Sequence, residues 1–127
     1  MASSFAHFRR VTPAVLIIDS DPSVRDVMAQ LLHLEGFAPF TAATGHEALQ
    51  YLRAGGPAQV ILLDLRMPVL DGWTLSPSRR APVVASMPVV VLTRTNGGDA
   101  LDVAGSFPRP LDFPRVINFI RDVCSRT

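Results

Sequence analysis

The sequence predicts an α/β protein: one parallel sheet of five strands, doubly wound by about five helices. Three observations carry this. Short continuous apolar runs, such as Ala14 to Ile18 and Val60 to Leu63, read as strands buried on both faces. They alternate with segments whose apolar residues recur at helical spacing, which implies right-handed crossovers between parallel strands. Prolines fall inside the second and fifth strand candidates, at Pro39 and Pro108, and so place those strands at the sheet edges.

Each element follows in order. Ala14 to Ile18 is the first strand. Asp21 as N-cap and Pro22 at the first position open a helix, which Gly36 stops. Val24, Val27, Met28, Leu31 and Leu32 form its apolar face. Phe37 to Thr41 is a weak strand. Thr44 and Glu47 have capping-box spacing and open a short helix ending at Gly55-Gly56. Val60 to Leu65 is the most apolar run and predicts the central strand. Pro77 and Pro82 interrupt the next helix, which starts late with Ser76 as its cap. Pro88 to Leu92 is the fourth strand. Asn96 to Ala104 has room for two helical turns at most, so the fourth helix is shortened. Ser106 to Pro108 is a minimal fifth strand. Val116, Ile117, Ile120, Val123 and Cys124 mark the last helix and make Cys124 a buried core thiol. Two proline-marked edges fit the strand order 2-1-3-4-5 of the flavodoxin-like fold.

Composition narrows the function. The chain has 127 residues, a formal net charge of +1, 48% hydrophobic and 18% charged residues. One domain fits that length. Residues 1–13 read as a flexible N-terminal arm and 14–127 as the domain. The charge balance offers no field for nucleic acid or a membrane surface, and no apolar run is long enough to span a bilayer. All 12 cations are Arg, with no Lys. That excludes a Schiff base and a Walker-type phosphate loop. A lone cysteine makes no internal disulfide and no zinc cluster, which fits a cytoplasmic protein.

Ligands of such sheets bind beyond the carboxyl ends of the strands. There the sequence places Asp19, Ser20 and Asp21 after the first strand and Asp64 at the end of the third. Thr93 and Arg94 follow the fourth, and Arg109 follows the fifth. Any one of these is an ordinary cap or surface charge; together they converge on one rim. His7, His33 and His46 are dispersed and read as surface residues. Arg79-Arg80 reads as a solvated helix face, and Trp73 as packing.

The run Asp64-Leu65-Arg66-Met67-Pro68-Val69-Leu70-Asp71-Gly72 matches the D-x-x-M-P-x-x-D-G phosphoacceptor pattern in full. Through it, and through Val15 to Asp19, Gly45 to Leu49, Val89 to Thr93 and Arg109-Pro110, the chain resembles the receiver domains of bacterial response regulators. The resemblance implies a single-domain signalling protein, not an enzyme, that takes a phosphoryl group on Asp64. The donor would be a histidine kinase or a phosphotransfer protein, and the output an unidentified protein target. It implies Mg²⁺ held by Asp19, Asp64 and the Arg66 backbone carbonyl. Thr93 and the basic residue Arg109 would bind the phosphoryl group, and the Arg109–Pro110 bond would be cis.

The chain departs from that pattern in five places. Ser20 stands where the family has a second metal-binding acid, which makes it a weak or absent ligand and Mg²⁺ binding weak. Arg109 replaces the usual Lys, and the two are not equivalent donors. Arg94 follows the switch Thr and adds a possible pocket cation. Ser106 stands where an aromatic is common, with Phe107 beside it. The stretch from Thr93 to Arg109 is short. These departures support an alternative, a pseudo-receiver whose contacts do not depend on phosphate. A third reading, a haloacid-dehalogenase-like phosphatase using Asp19 and Asp21, lacks the Lys that chemistry needs.

Overall fold

The computed structural model describes residues 12–64, 87–93, 104–108 and 111–125, with only the main chain for Thr93, Ser106 and Pro108. The strands are β1 (Ala14–Ile18), β2 (Ala38–Ala42), β3 (Val60–Asp64), β4 (Val89–Thr93) and β5 (Gly105–Pro108). The helices among the described residues are α1 (Pro22–Leu34), α2 (Gly45–Arg53) and α3 (Phe113–Ser125). All strand pairs are parallel, in the order β2-β1-β3-β4-β5. The apolar run from Val60 is therefore the central strand, and Pro39 and Pro108 lie in the edge strands.

Side chains alternate across the sheet and build two cores. Leu16, Ile18, Ile61, Leu63, Val89 and Val91 pack with Ala48, Leu49 and Leu52 of α2. Val15, Ile17, Val60, Leu62, Val90 and Leu92 pack with Met28 and Leu32 of α1 and with Val116, Ile117, Ile120 and Val123 of α3. Period-2 alternation between two helix-covered faces explains why β1 and β3 read as unbroken apolar runs.

The caps form as their residues dictate. Asp21 accepts a hydrogen bond from the Ser23 N–H at 2.9 Å, with Pro22 opening α1. Thr44 Oγ1 accepts from the Glu47 N–H at 3.1 Å, while Glu47 Oε1 accepts from the Ala43 N–H at 2.9 Å. Gly36, at φ 94°, ends α1: its N–H bonds the His33 carbonyl, and the Phe37 N–H bonds the Leu32 carbonyl. Gly55, at φ 89°, repeats the pattern after α2, with bonds to Leu52 and from Gly56 to Tyr51. The left-handed turn is what requires glycine at these two positions.

Several boundaries differ from the sequence reading. β2 begins at Ala38, because Phe37 completes the turn after α1 and is buried, 3% exposed, against the α1/α3 core. β4 begins at Val89 and runs through Thr93, and β5 takes in Gly105. Cys124 is half-buried at the edge of the core rather than enclosed by it. His33 and His46 are exposed on α1 and α2. Arg66, Trp73, Arg79-Arg80, Arg94, Arg109 with its bond to Pro110, His7 and the two helices expected between β3 and β5 lie outside the described residues. Among the described residues, no helix is long and apolar enough to cross a membrane.

Candidate functional site at the carboxyl edge of the sheet

The sheet brings two carboxylates together. Ile18 pairs with Leu63, so one step further Asp19 stands opposite Asp64. Neighbouring strands run about 4.8 Å apart. By strand alternation both side chains fall on the α1/α3 side. Each residue is only 2% exposed, and they are the buried charged residues among those described. Two carboxylates withdrawn from water side by side demand positive charge or strong donors around them. Asp64 pairs with Leu92, which puts Thr93 one residue beyond it on the next strand.

The loop after β1 is organised around Asp19. Its N–H continues the ladder to the Ala42 carbonyl at 3.1 Å. Its Oδ1 accepts from the Asp21 N–H at 2.9 Å. Its carbonyl accepts from Nη1 of Arg25 at 2.8 Å. Ser20 and Asp21 are exposed, and Asp21 caps its own helix. Of the three polar residues after β1, only Asp19 is drawn into the rim.

Of the expected site residues, the structure places Asp19 and Asp64 together and the Thr93 main chain beside them. Ser20 flanks them at the surface. The positions of Arg66, Arg94 and Arg109 lie outside the described residues. Arg25 is the residue that sequence reasoning missed. An arginine one turn into an amphipathic helix reads as solvated, and its only signal is its distance of one turn from the acidic loop.

The oxygen donors present suit Mg²⁺, a hard cation that favours carboxylates and carbonyls. The set is one carboxylate poorer than an Asp-Asp pair would make it, because Ser20 supplies a neutral hydroxyl. Among the described residues, no three His, Cys, Asp or Glu side chains group into a metal cluster.

The family model described as response regulator receiver domain matches residues 15–105. The chain is 34% identical over 121 residues to the transcriptional regulatory protein CpxR homolog of Haemophilus influenzae, covering 89% of this chain and 51% of that protein. It is 38% identical over 88 residues to the transcriptional regulatory protein PrrA of Mycobacterium tuberculosis, covering 69% and 37%. The chain thus spans between about a third and a half of the length of the curated relatives it matches. Among solved structures, it superposes on the Francisella response regulator 1452 receiver domain with a TM-score of 0.76 and 22% identity, covering 91% and 98% of the two chains. The Vibrio cholerae chemotaxis protein CheY4 gives 0.74 and 24%, covering 89% and 99%. Thermotoga maritima TrrA, solved in complex with Mg(2+)-BeF, gives 0.71 and 18%, covering 88% and 99%.

Proposed function

This chain belongs to the response regulator receiver domain family, and on that premise we propose that Asp64 accepts a phosphoryl group from a histidine kinase or a phosphotransfer protein. The observation that carries the reading is the position of Asp64. It ends the central strand, is buried, and stands opposite Asp19 at the edge where such sheets bind ligands.

In this reading a carboxylate oxygen of Asp64 attacks phosphorus in line with the leaving group. The new O–P bond makes an aspartyl phosphate as the P–N bond to the donor histidine breaks. The electron pair leaves with the imidazole, which takes up a proton. Thr93 donates its hydroxyl to a phosphoryl oxygen and Arg109 supplies positive charge, as this chemistry requires. Asp19, Asp64 and the Arg66 carbonyl would hold Mg²⁺, with Ser20 a weak or absent fourth donor. Bound there, the ion neutralises charge on the phosphoryl oxygens. The output is a contact with a downstream protein, in the cytoplasm, with neither nucleic acid nor membrane as partner. The curated relatives are transcriptional regulatory proteins, so attachment to a DNA-binding partner is the competing arrangement.

One observation favours a second reading, a pseudo-receiver. Ser20 is exposed and the Asp21 carboxylate is engaged by Ser23, so neither supplies a second buried acid. Incubation with acetyl phosphate and Mg²⁺, followed by intact-mass measurement, separates the two. The phosphoacceptor reading expects one added phosphoryl group, absent in Asp64→Asn. No mass gain in the wild type overturns it and leaves a phosphate-independent binding module.

A further inference from the structure

We infer that Arg25 is a positioning residue for this site: its guanidinium clamps the loop that carries Asp19 and so holds that carboxylate beside Asp64. The inference rests on the phosphoacceptor reading of Asp64.

The geometry is specific. Arg25 lies one turn into α1, is half-buried, and reaches back to the Asp19 carbonyl at 2.8 Å. Ser20 and Asp21 are exposed. The Asp21 N–H to Asp19 Oδ1 bond and the Ser23 N–H to Asp21 Oδ1 bond each span two residues. Such short-range bonds shape the turn but do not anchor it to the domain. The Asp19 N–H on Ala42 in β2 and its carbonyl under Arg25 tie the loop to the domain.

The Arg25 bond is charge-assisted, about twice as strong as a neutral bond. It also satisfies a carbonyl on a residue that is 2% exposed. Without that donor the carbonyl is a buried acceptor without its cation, and the loop must turn it toward water. Rotating that peptide shifts the chain after it, and with it the Asp21 N–H that fixes Asp19 Oδ1 in its place opposite Asp64. With Ser20 contributing no carboxylate, Asp19 is the one acid that β1 brings to the rim. Its orientation therefore counts for more here than in a loop with two acids.

Arg25→Met removes the donor while keeping the length of the stem; Arg25→Lys restores a cationic donor. Two readouts are needed. The first is amide hydrogen exchange in metal-free protein. In Arg25→Met the Asp21 and Ser23 amides exchange about tenfold faster, the Leu62 and Val90 amides stay unchanged, and Arg25→Lys returns the rates toward wild type. The second is the Mg²⁺ concentration that half-saturates acetyl-phosphate labelling. It rises about fivefold or more in Arg25→Met, while the rate at saturating Mg²⁺ stays within about twofold.

Unchanged exchange at Asp21 and Ser23 overturns the inference. So does acceleration that includes the core amides, which is the mark of a merely structural residue. Faster loop exchange with an unmoved Mg²⁺ midpoint overturns it too. If the wild type takes no label, the phosphoacceptor reading falls by itself. Loop exchange and calorimetric Mg²⁺ binding then still decide the role of Arg25.

Discussion

The ring of Phe119 fills the space that a side chain on Gly105 would need: a Cβ there would lie 2.6 Å from Cε2 of the ring. Phe119 also meets Phe107 edge-on, with centroids 5.5 Å apart and an interplanar angle of 70°. Glycine at this point of β5 is what lets α3 settle on the edge of the sheet. Gly105→Ala is expected to cost about 1–3 kcal/mol through overpacking, read by urea denaturation. Adding Phe119→Leu should recover part of that loss, because the two changes share one space and will not add.

The start of α2 offers a cleaner local test. Thr44 and Glu47 each satisfy a main-chain donor at the helix entrance. Thr44→Ala is expected to lower stability by about 1 kcal/mol, seen as a lower thermal midpoint. Glu47→Gln keeps an acceptor and should cost less than Glu47→Ala.

Alkaline pH should weaken the fold through Cys124. Partial burial raises its thiol above its ordinary value. The folded state therefore holds the proton to higher pH than the unfolded chain does. The stability tied to that proton is intact below the unfolded thiol's pKa of about 8.5 and is lost as pH rises through the folded value. Tyr51, raised by burial as well, extends the loss further into the alkaline range. Urea midpoints from pH 7 to 11 should fall above pH 8.5, and less steeply in Cys124→Ala. Alkylation of Cys124 by iodoacetamide at pH 8 should be slower than that of a free thiol peptide.

At the rim, Ser20→Asp should restore a carboxylate ligand and tighten Mg²⁺ binding by about tenfold or more. Calorimetric titration measures it. Combined with Arg109→Lys, it should raise the rate of acetyl-phosphate labelling well above wild type. If the double variant labels no faster, these two substitutions are not what limits phosphorylation.

The architecture was legible where local chemistry decides it. Asp21-Pro22, Thr44 with Glu47, Gly36 and Gly55-Gly56 mark helix ends by bonds formed within a few residues. Pro39 identifies an edge because its nitrogen, with nothing to donate, faces away from β1, whereas Pro108 faces β4 and is accommodated as the last residue of β5. That Asp19 and Asp64 meet was readable because strand ends in a parallel sheet converge on one rim; the part assigned to Asp64 came from the resemblance of its motif. Boundaries slipped by one residue at β2, β4 and β5, where Phe37 and Pro88 are apolar but lie just before the strands and Gly105 lies just inside one. Arg25 was not legible, because its partner is a main-chain carbonyl that every residue carries. The fit of Gly105 against Phe119 depends on two elements docking, and no spacing in the sequence reports that.

The proline in β2 has a consequence for how this protein meets others of its kind. Ala38 donates inward to Pro13, so Pro39, one residue on, turns its donorless nitrogen to the open rim of the sheet. A further strand laid along β2 would find its ladder interrupted there. Growth by adding sheet to sheet, the route to fibrils, is blunted at that end.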